Sequence, residues 1–190
     1  SLGPDGWIEA ECAVSRHDAN TFSDLDDDDN LGNAASLSAG TRTAPLTWLS
    51  GGTLTASLSG RRVAGAFRAP GRFREVGYEE RWELAGLDLP EGEAMARGDA
   101  ELSLPEGGAL SLSHAALRRG DDVSTSRSEF AASGRPLDGI EFSAMGRLVD
   151  VSVDGAARSE DRTRRLYRAA LDRARGAFRP GLRYARDRRT

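Results

Sequence analysis

The sequence predicts an all-β chain folded as an antiparallel meander, a β-barrel or barrel fragment of about nine or ten strands. Three observations lead there. Alternation of apolar and polar residues restarts after each turn signal. The apolar content of 38% is thin for a conventional core, but a half-buried strand needs only every second residue apolar. No apolar run is long enough for a membrane-crossing helix, whereas a barrel strand spans with about ten alternating residues.

Trp7 to Arg16 reads as the first strand, with Ile8, Ala10, Cys12 and Val14 on one face and Glu9, Glu11 and Ser15 on the other. His17 to Asn33 reads as a long acidic loop, and Ala35, Leu37 and Ala39 as a short second strand. Thr53 to Arg68 reads as one long strand. Its parity changes after Gly60-Arg61-Arg62, which predicts a bulge. Pro70 to Leu84 is irregular and aromatic, either a broken strand or a loop. Leu87 to Glu93 reads as a connection.

Met95 to Leu104 carries the cleanest alternation, with Ala96, Gly98, Ala100, Leu102 and Leu104 opposite Arg97, Asp99, Glu101 and Ser103. Pro105-Glu106-Gly107-Gly108 turns it into a partner strand over Ala109 to Arg119. Gly120-Asp121-Asp122 turns again, and Val123 to Ser133 follows as a largely polar strand. Ile140 to Val153 is another long strand. Its apolar set moves from Phe142, Ala144 and Leu148 to Val149, Val151 and Val153, a second change of parity. Asp161 to Ala177 is ambiguous. Leu166, Ala170 and Ala174 have helical spacing, but Tyr167, Ala169 and Leu171 share a strand face. The surrounding pattern favours a strand. Phe178 to Arg188 reads as extended.

The length suits a single β domain over residues 1–190, expected to be part of a longer chain. All 26 basic residues are arginine, and the net charge is −4. A global field attracting nucleic acid is therefore absent. The C-terminal stretch from Arg162 to Arg189 is locally basic but poor in stacking aromatics, which argues against a nucleic-acid partner. Cys12 is the only cysteine, so neither an intrachain disulfide nor a thiolate metal site can form. It is expected to serve as a small buried or lipid-facing side chain.

The acidic run Asp24 to Asn30 is the one cluster suggestive of calcium. Counted from Asp26, the glycine position of a calcium loop is Leu31 and the bidentate position is Leu37, so the spacing fails. A solvated loop is the expectation. His17 and His114 lack zinc spacing, and no serine sits in a nucleophile elbow. Glu79-Glu80 and Glu91/Glu93 are carboxylate pairs of the kind glycosidases use, but exposed charge accounts for them. Trp7, Trp48, Tyr78, Trp82, Tyr167 and Tyr184 lie near strand ends, where interfacial girdles form. No catalytic, cofactor-binding or metal residue is assigned, and no cofactor is expected.

Three segments carry a resemblance: Ser15 to Asp27, Phe67 to Val76, and Arg179-Pro180-Gly181-Leu182-Arg183-Tyr184. They resemble strand-and-loop phrases of large, poorly characterised outer-membrane β-barrel proteins of Gram-negative bacteria. The resemblance implies a barrel segment without catalytic residues. The expected function is then structural, assembly or transport. The expected partners are membrane lipid and the remaining strands of the parent barrel. The alternative is an extracellular or periplasmic β-sheet module that binds a glycan or protein.

Overall fold

The computed structural model describes residues 6–16, 31–48, 51–69, 76–87, 89–155, 158–173 and 180–190. They form one antiparallel sheet. The strands are β1 (Gly6–Arg16), β2 (Leu31–Thr41), β3 (Ala44–Leu46), β4 (Gly52–Val63), β5 (Glu93–Ser103), β6 (Ala109–Arg119), β7 (Val123–Leu137), β8 (Ile140–Gly155), β9 (Arg158–Arg173) and β10 (Gly181–Arg189). A one-turn helix α1 (Tyr78–Arg81) lies between β4 and β5. The spatial order is β1-β2-β4-β5-β6-β7-β8-β9-β10, with β3 also on β4. The all-β meander is thus the observed fold. The sheet is open, with β1 and β10 as its edges among the described residues.

β3 resumes the line of β2 after a break at Arg42 and Thr43, since both strands pair with β4. Side chains seal that break. The Ala56 amide donates to Thr41 Oγ1 at 3.0 Å, and Thr55 Oγ1 donates to the Arg42 carbonyl at 3.0 Å. Between β7 and β8 the turn is Asp138-Gly139, with Gly139 at φ 74°, which glycine adopts without a Cβ penalty.

Register partners share a face, so the pairings sort the strand residues into two sets. One face is apolar. It carries Ile8, Leu37, Leu58, Leu112, Phe130 and Tyr167 among others, separated by alanine and glycine. The other is polar and carries Glu9, Ser59, Arg97, Asp99, Glu129, Arg147 and Arg168.

One expectation is corrected here. No bulge interrupts Thr53 to Arg68; β4 pairs continuously with β5 up to Val63↔Glu93 and then ends. No register shift accompanies the parity change in β8, which pairs with β9 without interruption from Ile140↔Arg173 to Gly155↔Arg158. Both changes have another cause. At the upper end of the sheet the segment between β4 and β5 folds onto the polar face. Val149 and Val151 are apolar there because they lie beneath it, with Trp82 and Leu84 forming a cluster with Ala115, Leu117, Val123, Val149 and Val151, and Val63 is buried on the same face where β4 ends. The same register resolves the ambiguity at Asp161 to Ala177. Residues 161–173 belong to β9, so the helical alternative is excluded for them, while 174–177 lie outside the described residues.

Among the described residues no second layer covers the apolar face. The chain exposes 13363 Å², against about 8,800 Å² from the size scaling of compact monomers at 20.3 kDa. Leu37, Leu58, Leu112, Phe130, Leu171, Leu182 and Tyr184 are among the exposed large hydrophobics, and all stand on this face.

Candidate functional site

The polar face holds the arrangement of greatest chemical content. Its upper part is roofed by residues 76–87. Helix α1 ends in a Schellman motif: the Leu84 amide donates to the Glu79 carbonyl at 2.8 Å and the Glu83 amide to the Glu80 carbonyl at 3.3 Å. The left-handed position, usually glycine, is Glu83 at φ 55°. This turn inserts Leu84, fully buried, and Trp82 into the valine cluster.

Charged side chains fasten the roof at three points. Arg164 Nη1 of β9 donates to Glu83 Oε1 at 2.5 Å, and its other amino group holds Asp187 of β10 at 2.7 Å. Tyr78 Oη donates to Glu93 Oε2 at 2.9 Å, and Glu93 also pairs with Arg61. The Arg127 guanidinium lies 4.9 Å from the centre of the Trp82 ring. Arg127 is 5% exposed, and its carboxylate contact, Glu129, is 3.5 Å away. A cation so desolvated gains from the negative face of the indole.

Below the roof the polar face becomes a trough. Arg97 holds Asp99 through two bonds of 2.7 Å, and Arg147 Nε donates to Glu129 at 2.5 Å. Lower still, a hollow of about 640 Å³ has Ser111, Ala131 and Ser143 along its floor, Glu101 on one wall, and Arg168 and Arg183 on the other. Small, largely apolar side chains make the space, and opposite charges border it. Among the described residues that line it, no nucleophile is paired with a base.

The sequence candidates disperse over this frame. Cys12 is exposed on the apolar face. His114 is also on that face, with Nδ1 2.9 Å from Ser128 Oγ. Glu79 and Glu80 are exposed on α1, Glu91 pairs with Arg68 at 3.4 Å, and Glu93 is buried in its own ion pair, so no carboxylate dyad forms from these four. The acidic run Asp24 to Asn30 and His17 lie outside the described residues. Among the described residues no three His, Cys, Asp or Glu side chains gather as a metal site. Of the expected aromatic girdle, Tyr167 and Tyr184 stand on the apolar face and Trp48 in an exposed turn. Tyr78 and Trp82 belong to the roof, and Trp7 is on the polar face. Sequence reasoning missed the Trp82–Arg127 contact. Its only signal was aromatic residues in a segment without strand alternation.

No family model, curated protein or solved structure matches the chain.

Proposed function

We propose that this chain is a non-enzymatic segment of an outer-membrane β-barrel of a Gram-negative bacterium, with a structural, assembly or transport role. Its apolar face meets lipid, and its polar face lines an aqueous lumen. One observation carries the reading: among the described residues a sheet nine positions wide leaves its apolar face uncovered, while its polar face is roofed at the upper end and ion-paired. That is the reverse of a water-soluble sheet, which buries its apolar side.

Two details support it. Eight of the nine sheet positions hold strands of 11 to 16 residues, and a bilayer needs about 9–11. The apolar stretch also descends across the sheet. It reaches Val14 at the upper end of β1, stops at Leu148 on β8, and centres on Tyr167 to Leu171 in β9. A level lipid band crossing tilted strands cuts obliquely through hydrogen-bonded rows in this way. Among the described residues no helix is long and apolar enough to cross a membrane, and a barrel requires none.

Cys12 provides the test. The refolded chain is labelled there with an environment-sensitive fluorophore in phosphatidylcholine vesicles, beside an E11C/C12S variant labelled one residue away on the polar face. Quenching at Cys12, but not at position 11, by nitroxide lipids is expected. Equal quenching at both positions, with a chain monomeric in plain buffer, overturns the reading in favour of a β-sheet binding module.

A further inference from the structure

The two rims of the sheet run in the same direction. Nine positions are joined by eight antiparallel pairings between β1 and β10. An even number of reversals restores the starting direction, so β10 is parallel to β1. Direct closure would therefore introduce one parallel seam into an antiparallel ladder. A ring of identical, equally oriented copies fares no better, because every junction of one copy's β10 with the next copy's β1 is again parallel. Single-chain outer-membrane barrels close through antiparallel pairs and hold an even number of strands.

The rims themselves are built for pairing. Edge strands that avoid partners carry proline, a bulge or inward charges. β1 has no proline, pairs without a register break over all eleven residues, and keeps charge off its apolar face except at Arg16. β10 also lacks proline and pairs with β9 without a break; its apolar face holds Leu182 and Tyr184 in the lower half and gives way to Arg186 and Arg188 above them. Their polar faces carry opposite charge: Glu9 and Glu11 are exposed on β1, and Arg183 is exposed on β10. On the apolar faces Ile8 and Val14 stand at one rim, Leu182 and Tyr184 at the other.

We propose that the sheet is completed by an odd number of further strands, most simply one, running antiparallel to both β1 and β10. This inference rests on the barrel reading. The added strand alternates. Its apolar side chains continue the row of Leu182 and Tyr184. Its other face places carboxylate beside Arg183 and a cation beside Glu9 and Glu11. A second copy in the same orientation is excluded by strand direction.

The probe is a synthetic nine-residue peptide alternating leucine or valine with glutamate and lysine, added to the chain in detergent micelles. Amide exchange is followed residue by residue. The peptide should slow the outward-facing amides of β1 and β10. A nitroxide at its N-terminus should broaden signals at the Arg16 and Arg189 ends, which antiparallel docking places beside it. Broadening at the Gly6 and Gly181 ends, protection of both rims before peptide is added, or no slowing at millimolar peptide overturns the proposal. Fusing the strand after Thr190 through an Asn-Gly turn removes affinity as a variable. One added strand should then protect β1, and two should leave it open; equal protection by one and two overturns the parity argument. Peptide uptake by a chain that needs no detergent would keep the rim assignment and remove the lipid reading.

Discussion

The ring of Phe130 lies across Gly146, its cross-strand partner on β8. The atoms nearest to where a Cβ would project from Gly146 are Phe130 Cε1, Cζ and Cδ1. Phe142 lies over Gly134 in the same manner. Aromatic rings thus cover the backbone that two glycines would otherwise bare on the apolar face. A side chain at position 146 must displace the ring.

Gly146→Val is expected to destabilise the chain by about 1–3 kcal/mol, the range for overpacking a filled site. Phe130→Ala in the same background should recover part of the loss, because the colliding ring is gone. Urea unfolding in micelles measures both; additive losses in the double variant would refute the contact.

The roof and the apolar face predict opposite tolerances along a single strand. Leu117 is buried in the valine cluster, and Leu112 is exposed on the other face. Leu117→Ala should cost about 2–5 kcal/mol, and Leu112→Ala well under that in micelles. Leu112→Arg should cost about 2–4 kcal/mol of stability in a bilayer if the residue lies near the midplane, and little if that face meets water. Unfolding from vesicles and from buffer separates the cases.

Glu83 occupies a left-handed position while binding Arg164. Releasing a non-glycine residue from that conformation gains about 1–2 kcal/mol. In the wild-type background Glu83→Gly trades this gain against the lost ion pair. In an Arg164→Met background only the longer 3.8 Å contact of Glu83 with the exposed Arg189 remains, so Glu83→Gly should stabilise. The coupling between the two positions is expected at about 0.5–3 kcal/mol. A double-mutant cycle measures it, and a Glu83→Gly effect of equal size and sign in both backgrounds would disprove the coupling.

Burial of Arg127 under Trp82 makes an isosteric test possible. Arg127→Met keeps the volume and removes a charge whose desolvation is poorly offset, so stability should hold or rise. Trp82→Ala should cost about 3–5 kcal/mol, because it opens a cavity and wets the guanidinium. Thermal unfolding ranks the two; an Arg127→Met loss as large as that of Trp82→Ala would contradict this account.

The strands were legible because each residue from Met95 to Ser103 meets one of two fixed environments, and the alternation records which. The ends were less legible where the environments change places. Leu31 to Asn33 read as loop because Gly32 and Asn33 are turn residues, yet they pair with β1. The roof left the opposite signature. Val149, Val151 and Val153 read as a change of parity without a cause, because sequence alternation cannot report that a distant segment has made the polar side dry. Nothing in the spacing of Trp82 announced Arg127, which lies 45 residues later and meets it only through the sheet.

Almost every contact in the meander joins strands adjacent in the chain, so the sheet can grow hairpin by hairpin with small loop-closure cost. The bond from Arg164 to Glu83 is different, because it spans 81 residues. It cannot form until β5 through β9 are in register beneath it. The clasp therefore works as a gauge of β9: a chain stalled before that strand lacks this fastening, even where Glu93 and Arg127 already hold Tyr78 and Trp82. A change in the protease sensitivity of residues 76–87 would time the arrival of β9 during folding.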